Sequence, residues 1–126
     1  MIRHTWKLVS VLLALACIFS QDSLALTASY YTYESCVREG TSGVWTASGE
    51  RYNENDFTCA SWDYSFGQRL LVTNVGNGRQ VIVRVNDRGP AKRLYKKGKI
   101  IDLSYAAMCA LDGIKQGIIE VRVDVL

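Results

Sequence analysis

Asn86-Asp87-Arg88-Gly89-Pro90, followed by Ile100-Ile101-Asp102-Leu103-Ser104, is the stretch whose reading decides the fold. Each segment reads as a short apolar strand that carries a carboxylate to its end. Running back from Asp87, Val85, Val83 and Val81 share its parity, whereas Asn86, Arg84 and Ile82 point the other way. Immediately beyond, Gly89 is free in φ and Pro90 fixes φ and removes a donor, so the strand must turn. That register places Asp87 at the rim of an apolar core. A half-buried carboxylate resists ionisation, and a carboxyl group that keeps its proton near neutral pH can serve as a general acid.

Working outward, the first residues read as an export signal. Arg3 and Lys7 precede the apolar run Leu8 to Ser20, and Gln21-Asp22-Ser23-Leu24-Ala25 supplies a small-residue cleavage site after Ala25. The apolar run is shorter than the roughly 20 residues that span a bilayer. Ala14-Leu15-Ala16-Cys17 gives a second reading, a bacterial lipobox with lipid attachment at Cys17. Residues 1–25 are therefore expected to be a signal peptide and 26–126 one domain, large enough for one modest core.

With 15 Lys and Arg against 12 Asp and Glu, the chain is only mildly basic. The excess is concentrated in Lys92, Arg93, Lys96, Lys97 and Lys99, read as a solvated loop with a dedicated anion site as the alternative. Nucleic acid is not an expected partner, since Tyr95 is the one aromatic interleaved in that run. After the leader, Cys36, Cys59 and Cys109 remain. Export favours a Cys36–Cys59 disulfide across the Gly- and Ser-rich segment they bracket. Cys109, in the helical run Ala106 to Leu111, is expected to be a buried free thiol. Three cysteines, with the single histidine His4 in the leader, give no metal set, and no cofactor is expected.

Ala28 to Tyr33 reads as a strand with Ser29, Tyr31 and Tyr33 on one face, and Gly40 to Gly49 as a loop. Arg69 to Val75 and Arg79 to Val85 read as a hairpin whose Asn77-Gly78 pair suits a type I′ turn. Ser104 to Leu111 is the expected helix, capped by Asp102 or Ser104, and Ile119 to Val125 is a period-two strand. Strands and turns with one short helix favour a small closed all-β barrel.

In this order the segments resemble the rare lipoprotein A (RlpA) family of double-psi β-barrels. Ala28-Ser29-Tyr30-Tyr31, Thr46-Ala47-Ser48-Gly49-Glu50, Phe66-Gly67, Val72-Thr73-Asn74, Asn77-Gly78-Arg79, Val83 to Pro90, Ile100 to Ser104 and Val121 to Leu126 carry the likeness. It implies a six-stranded double-psi barrel with one short helix that acts on cell-wall glycan in the periplasm or cell envelope, probing peptidoglycan strands as a monomer. Characterised members are lytic transglycosylases, which cleave between N-acetylmuramic acid and N-acetylglucosamine and leave an anhydro sugar. Related barrels, such as expansins and barwin-like proteins, make a non-catalytic polysaccharide-binding module the alternative. Many family members also carry a C-terminal glycan-binding repeat, whereas the likeness here ends with the last strand.

Carried over residue by residue, the family's Glu falls on Glu50 and its Asp on Asp87. A second Asp is replaced by Asn53, and its His by Ser61, while Asp102 matches an acid of the expansin and endoglucanase branches. Lytic chemistry tolerates such losses. The sugar's own C6 hydroxyl is the nucleophile, so one carboxyl group can first give and then take the proton. Asp87 is the first candidate for that acid/base, Asp102 the second, and Glu50 orients the acid or the sugar. Tyr31, Tyr33 and Trp62 are candidate sugar platforms, with Ser61, Asn53 and Arg88 as further substrate contacts. Each has a plain structural alternative: Asp87 accepting amides of its turn, Asp102 capping the helix, Glu50 on the surface, the aromatics in the core.

Overall fold

The computed structural model describes residues 25–39 and 43–126. The expected leader, with Cys17, lies outside the described residues except for Ala25. Strands β1 (Thr27–Tyr31), β2 (Thr58–Ser61), β3 (Arg69–Asn74), β4 (Gln80–Asp87), β5 (Lys99–Ser104) and β6 (Ile119–Val125) close into a barrel in the order β1-β5-β2-β4-β3-β6. The β1–β5 and β2–β4 pairs are parallel and the other pairs antiparallel. Closure leaves no strand edge open.

The alternation that anchors the sequence reading is present. Val81, Val83 and Val85 of β4 point into the barrel, while Ile82 stays 41% exposed. They meet Leu70 and Val72 of β3, Ile101 and Leu103 of β5, and Met108 and Leu111 from the helical cap over one end. Burying each such side chain contributes roughly 1.5–3 kcal/mol. At the end of β4 the period breaks. Cys59 of β2 pairs with Val85, but the next residue, Ala60, pairs with Asp87, so Asn86 is an extra residue in the ladder. A bulge re-aims the side chains that follow it. Here it lets Asn86 bury on one side of the sheet while Asp87 emerges on the other.

Among the described residues three short helices replace the single expected one: α1 (Tyr33–Arg38), α2 (Lys92–Tyr95) and α3 (Tyr105–Ala110). The unforeseen α1 follows from Thr32. Its hydroxyl accepts the Ser35 N–H at 3.1 Å while the Thr32 N–H donates to Ser35 Oγ at 3.0 Å. This reciprocal cap ends β1 and turns Tyr33 off the strand face onto which alternation had placed it. The helix α3 is where it was expected, and Ser104 caps it, accepting the Ala107 N–H at 3.3 Å. Asp102 is thereby free of the capping alternative.

The β3–β4 hairpin forms, but not through a type I′ turn. Among its loop residues only Gly78 takes positive φ, at 77°. Asn77 instead uses its side chain, accepting the Arg79 N–H at 2.9 Å and donating to the Leu111 carbonyl at 3.0 Å. The loop is thus tied to the end of α3 as well as to its own strands.

The expected Cys36–Cys59 disulfide is absent, and both thiols are free. Cys59 faces the barrel interior and is wholly enclosed, whereas Cys36 sits part-exposed on α1. With Cys36 carried on α1 and Cys59 enclosed within the barrel on β2, the two thiols lie in different surroundings. Cys109 also departs from expectation, being exposed on α3, whose buried side carries Ala107 and Met108.

Candidate active site

Four neighbouring strands contribute one row of side chains. Ser29 on β1 is in register with Asp102 on β5, Asp102 with Ala60 on β2, and Ala60 with Asp87 on β4. Neighbouring strands lie about 4.8 Å apart, so the backbones at Asp87 and Asp102 are separated by two spacings, or roughly 10 Å. Ala60 lies between them and, being small, leaves a floor rather than a wall. Above this row opens a cleft of about 490 Å³, also lined by Tyr31, Cys36, Trp45, Ala47, Lys99 and the Gly89-Pro90-Ala91 turn. Gly89 belongs there because its φ of 157° is a backbone conformation that side-chain-bearing residues rarely adopt, not because space is lacking. An added Cβ would lie 3.4 Å from Ala60 Cβ and 3.6 Å from Asp102 Oδ2.

The two oxygens of Asp87 have different surroundings. Oδ1 accepts the Ala47 N–H at 2.9 Å and the Arg88 N–H at 2.8 Å. Among the described residues Oδ2 meets only the Tyr31 hydroxyl, at 3.3 Å, and lies beside the cleft. Burial, and next the negative charge of Asp87, push the Tyr31 hydroxyl far above the ordinary phenol range. It therefore remains a fixed donor. Tyr31 is not the open sugar platform expected of it, since Tyr52 stacks on its ring at 4.4 Å between centroids. Its position makes it a positioning residue for Asp87.

Asp102 is occupied differently. Its Oδ1 accepts the Ser29 hydroxyl and lies 3.3 Å from the Lys99 ammonium. Among the described residues Asp87 has no such ion pair, because the guanidinium of the neighbouring Arg88 is turned away. Arg88 donates to the carbonyls of Ser61 and Tyr64, both at 2.8 Å, and covers the Phe66 ring at 3.9 Å. It lines the cleft and braces the turn beneath it.

Glu50 does not line the cleft. Its carboxylate bridges Arg84, at 2.8 Å, and Asn86, at 2.9 Å, and these two bonds hold its pKa below the ordinary carboxylate range. A carboxyl group kept ionised in this way is a poor proton donor. The bridge instead clasps the 46–50 loop onto β4. The Ser48 N–H donates to the Asn86 carbonyl at 3.2 Å, the Thr46 N–H to the Glu50 carbonyl at 2.8 Å, and between them Ala47 presents its N–H to Asp87. Glu50 thus acts on Asp87 through the loop it fastens.

Four further expected contacts fall outside the cleft. Tyr33 and Asn53 share a separate hollow beside α1, where the Asn53 side chain accepts the Asn55 N–H at 3.0 Å. The Ser61 hydroxyl is buried and accepts the Asp63 N–H at 3.1 Å, so it cannot stand in for the missing imidazole. Trp62 lies past the rim, donating its indole N–H to the Pro90 carbonyl at 2.6 Å, with the Lys92 ammonium 4.8 Å from its ring centre. Conversely, the sequence reading missed Ser29, Lys99 and Trp45. Trp45 is 57% exposed on the cleft wall, and its sequence signal was a lone tryptophan in a loop rich in Gly, Ser and Thr.

Comparison with known proteins bears on this arrangement. A family model described as lytic transglycolase matches residues 23–123. The chain is 46% identical over 88 residues to a probable endolytic peptidoglycan transglycosylase RlpA of Nostoc sp., covering 70% of this chain and 23% of that protein. To the endolytic peptidoglycan transglycosylase RlpA of Pasteurella multocida it is 48% identical over 84 residues, or 67% of this chain and 27% of the relative. It thus spans about a quarter of the length of these curated relatives. Among solved structures it is similar to a Streptomyces papain inhibitor, with a TM-score of 0.56, 21% identity and coverage of 79% of this chain and 88% of that one. A Clavibacter michiganensis expansin gives the same TM-score at 21% identity, covering 82% of this chain and 50% of the other. These two likenesses speak to the fold alone. Matched along nearly the whole barrel, the chain belongs to the RlpA-like, lytic transglycolase family of double-psi β-barrels.

Proposed function

We propose that this protein is a lytic transglycosylase of peptidoglycan, working in the cell envelope with Asp87 as its acid/base. The observation that carries the reading is the asymmetry of that carboxyl group. One oxygen is fixed by two main-chain amides, and the other lies beside an open cleft with only a long bond from Tyr31. A group that must both give and take a proton needs one oxygen held and one reachable.

The reaction runs in two proton transfers. Asp87 gives its proton to the glycosidic oxygen between N-acetylmuramic acid and N-acetylglucosamine as the bond to the muramic C1 breaks. Positive charge develops on that sugar. Asp102, close by on the floor and 3.3 Å from the Lys99 ammonium, helps to stabilise this charge. The muramic C6 hydroxyl then bonds to C1, and its proton passes to the Asp87 carboxylate. The acid is regenerated, an anhydro sugar is left, and no water is consumed. Neither a cofactor nor a metal enters these steps. Trp45 offers an exposed ring on which a sugar face can stack.

Export of the chain with cleavage after Ala25, or lipid attachment at Cys17, belongs to the same proposal, as does action by a single copy. Mass spectrometry of the mature N-terminus separates the two processing routes. The test of function is incubation of the purified protein with sacculi, followed by mass analysis of the soluble fragments. Fragments ending in anhydromuramic acid support the reading. Binding to the sacculi with no such fragments favours the non-catalytic module instead.

A further inference from the structure

Lys99 stands on the cleft wall although the pattern of its strand points it elsewhere. In β5, Ile101 and Leu103 are buried, and strict alternation would set Lys99 inside with them. The pairing with β1 shows why it is not. Thr27 pairs with Lys99, but the next residue, Ala28, pairs with Ile101, so Ile100 is an extra residue in the ladder. Ile100 packs against the core, as Ile101 does, and Lys99 is displaced to the face that carries Asp102. The Thr27 N–H donates to the Gly98 carbonyl at 3.0 Å and fixes the backbone just before Lys99. Each strand with a floor carboxylate thus holds one extra residue, Asn86 in β4 and Ile100 in β5.

This slip brings the Lys99 ammonium to 3.3 Å from Asp102 Oδ1, with the two side chains only 19% and 20% exposed. The Ser29 hydroxyl donates to the same oxygen. Among the described residues no donor meets Oδ2, which lies on the side of the Gly89 turn that follows Asp87. Asp102 therefore repeats the arrangement of Asp87, with one oxygen tied by two groups and the other left to the cleft. A single contact at Oδ1 would leave the carboxyl group free to turn about its side-chain bonds. Two contacts from neighbouring strands, Ser29 on β1 and Lys99 on β5, set its direction. Arg88, the other cation lining the cleft among the described residues, donates to main-chain carbonyls and takes no part in this hold.

Resting on the function proposed above, we propose that Lys99 is a positioning residue of the reaction. With Ser29 it holds Asp102 Oδ1, so that Oδ2 faces the muramic C1 on which positive charge develops. Its contribution passes through Asp102 and needs no contact of its own with the sugar. Misplacing a group by about 1 Å can cost up to about 100-fold in rate, so loss of one of two holding contacts is expected to cost roughly tenfold.

The test joins a spectroscopic readout to a kinetic one, for the wild type, Lys99→Met and Lys99→Arg. By NMR, the couplings of the Asp102 carboxyl carbon to its own amide nitrogen and carbonyl carbon tell a single rotamer from an average of several. We expect a single rotamer in the wild type and in Lys99→Arg, and averaging in Lys99→Met. With sacculi, kcat should fall roughly tenfold in Lys99→Met with KM little changed, and Lys99→Arg should recover most of the loss. Lys99→Met combined with Asp102→Asn should be no slower than Asp102→Asn alone, since residues that act as a unit are not additive. A single Asp102 rotamer in Lys99→Met overturns the inference. So do losses that multiply in the double variant, or a rise in KM alone, which would make Lys99 a sugar contact. Lys99→Gln repeats both measurements should Lys99→Met fail to fold. If the wild type releases no anhydro ends, the catalytic proposal fails, while the couplings still decide whether Lys99 holds Asp102.

Discussion

Replacing Glu50 separates a positioning group from a proton carrier, and the structure fixes the expected size of the effect. In Glu50→Ala two bonds disappear. The bridge to Arg84 joins side chains that are 44% and 42% exposed, and such pairs contribute about 0.2–1 kcal/mol. The bond from Asn86 counts for more. Asn86 is only 3% exposed and its Oδ1 already has no partner, so losing Glu50 strands its amide group altogether. An unsatisfied buried polar group costs about 1–3 kcal/mol. We therefore expect Glu50→Ala to lose roughly 1–3 kcal/mol in urea unfolding, mostly from Asn86, and about 5–15 °C in Tm. Activity should fall with it, as the 46–50 loop loosens and the Ala47 N–H leaves Asp87. Glu50→Gln keeps an acceptor for Asn86 and should lose less than about 1 kcal/mol and retain most turnover. The pH dependence has a definite sign. The folded Glu50 carboxyl has its pKa held below the unfolded value, so its stabilising contribution is complete above pH ~4.3 and is lost as pH falls further. The wild-type advantage over Glu50→Gln should shrink in that range. A Glu50→Gln protein that is fully folded yet as inactive as Glu50→Ala would refute the reasoning and return Glu50 to the chemistry.

Three other predictions concern Tyr31 and the cysteines. Tyr31→Phe keeps the stack on Tyr52 and removes one hydrogen bond to Asp87, so kcat should fall by up to about tenfold with KM little changed. A rise in KM alone would instead make Tyr31 a sugar contact. Thiol labelling of the native protein should modify Cys109 first and Cys36 more slowly, with Cys59 reacting only on unfolding; failure of both Cys36 and Cys59 to react after unfolding without reductant would reveal a disulfide. Burial pushes the Cys59 thiol up to about 12. Its neutral form therefore favours the folded state fully below pH ~8.5, and this contribution is lost as pH climbs towards that raised value. Cys59→Ala should flatten the alkaline loss of stability.

The sequence made the barrel legible because its strands are strongly patterned. Val81, Val83 and Val85, and the period-two run from Ile119, reveal their buried faces without any partner in view. Pairing was less visible, because the parallel neighbours β1–β5 and β2–β4 are remote in the chain. Asp87 and Asp102 were both singled out as strand-end carboxylates, although β5 runs on to Ser104, and only the registers through Ala60 show that they flank one floor. The expected roles failed where one short-range bond outweighed a periodic pattern. Thr32 capping α1 removed Tyr33 from the strand face, and the extra residue at Asn86 gave Glu50 a partner away from the cleft. Ser61 aligned with a family histidine by order alone, and its hydroxyl is spent on its own turn. Ser29 and Lys99 were missed because their importance lies in what they touch. Neither residue is unusual until Asp102 stands beside it.

The central claim is that Asp87 carries the proton while Asp102 supports the charge. Its most direct test is the rate at which anhydromuramic ends form from sacculi with Asp87→Asn and with Asp102→Asn, each shown by circular dichroism to be folded. General acid–base catalysis is worth about 10²–10⁴-fold, so Asp87→Asn should lose at least ~100-fold in kcat, and Asp102→Asn should lose less. Wild-type rates from Asp87→Asn, or a larger loss from Asp102→Asn than from Asp87→Asn, would contradict the account.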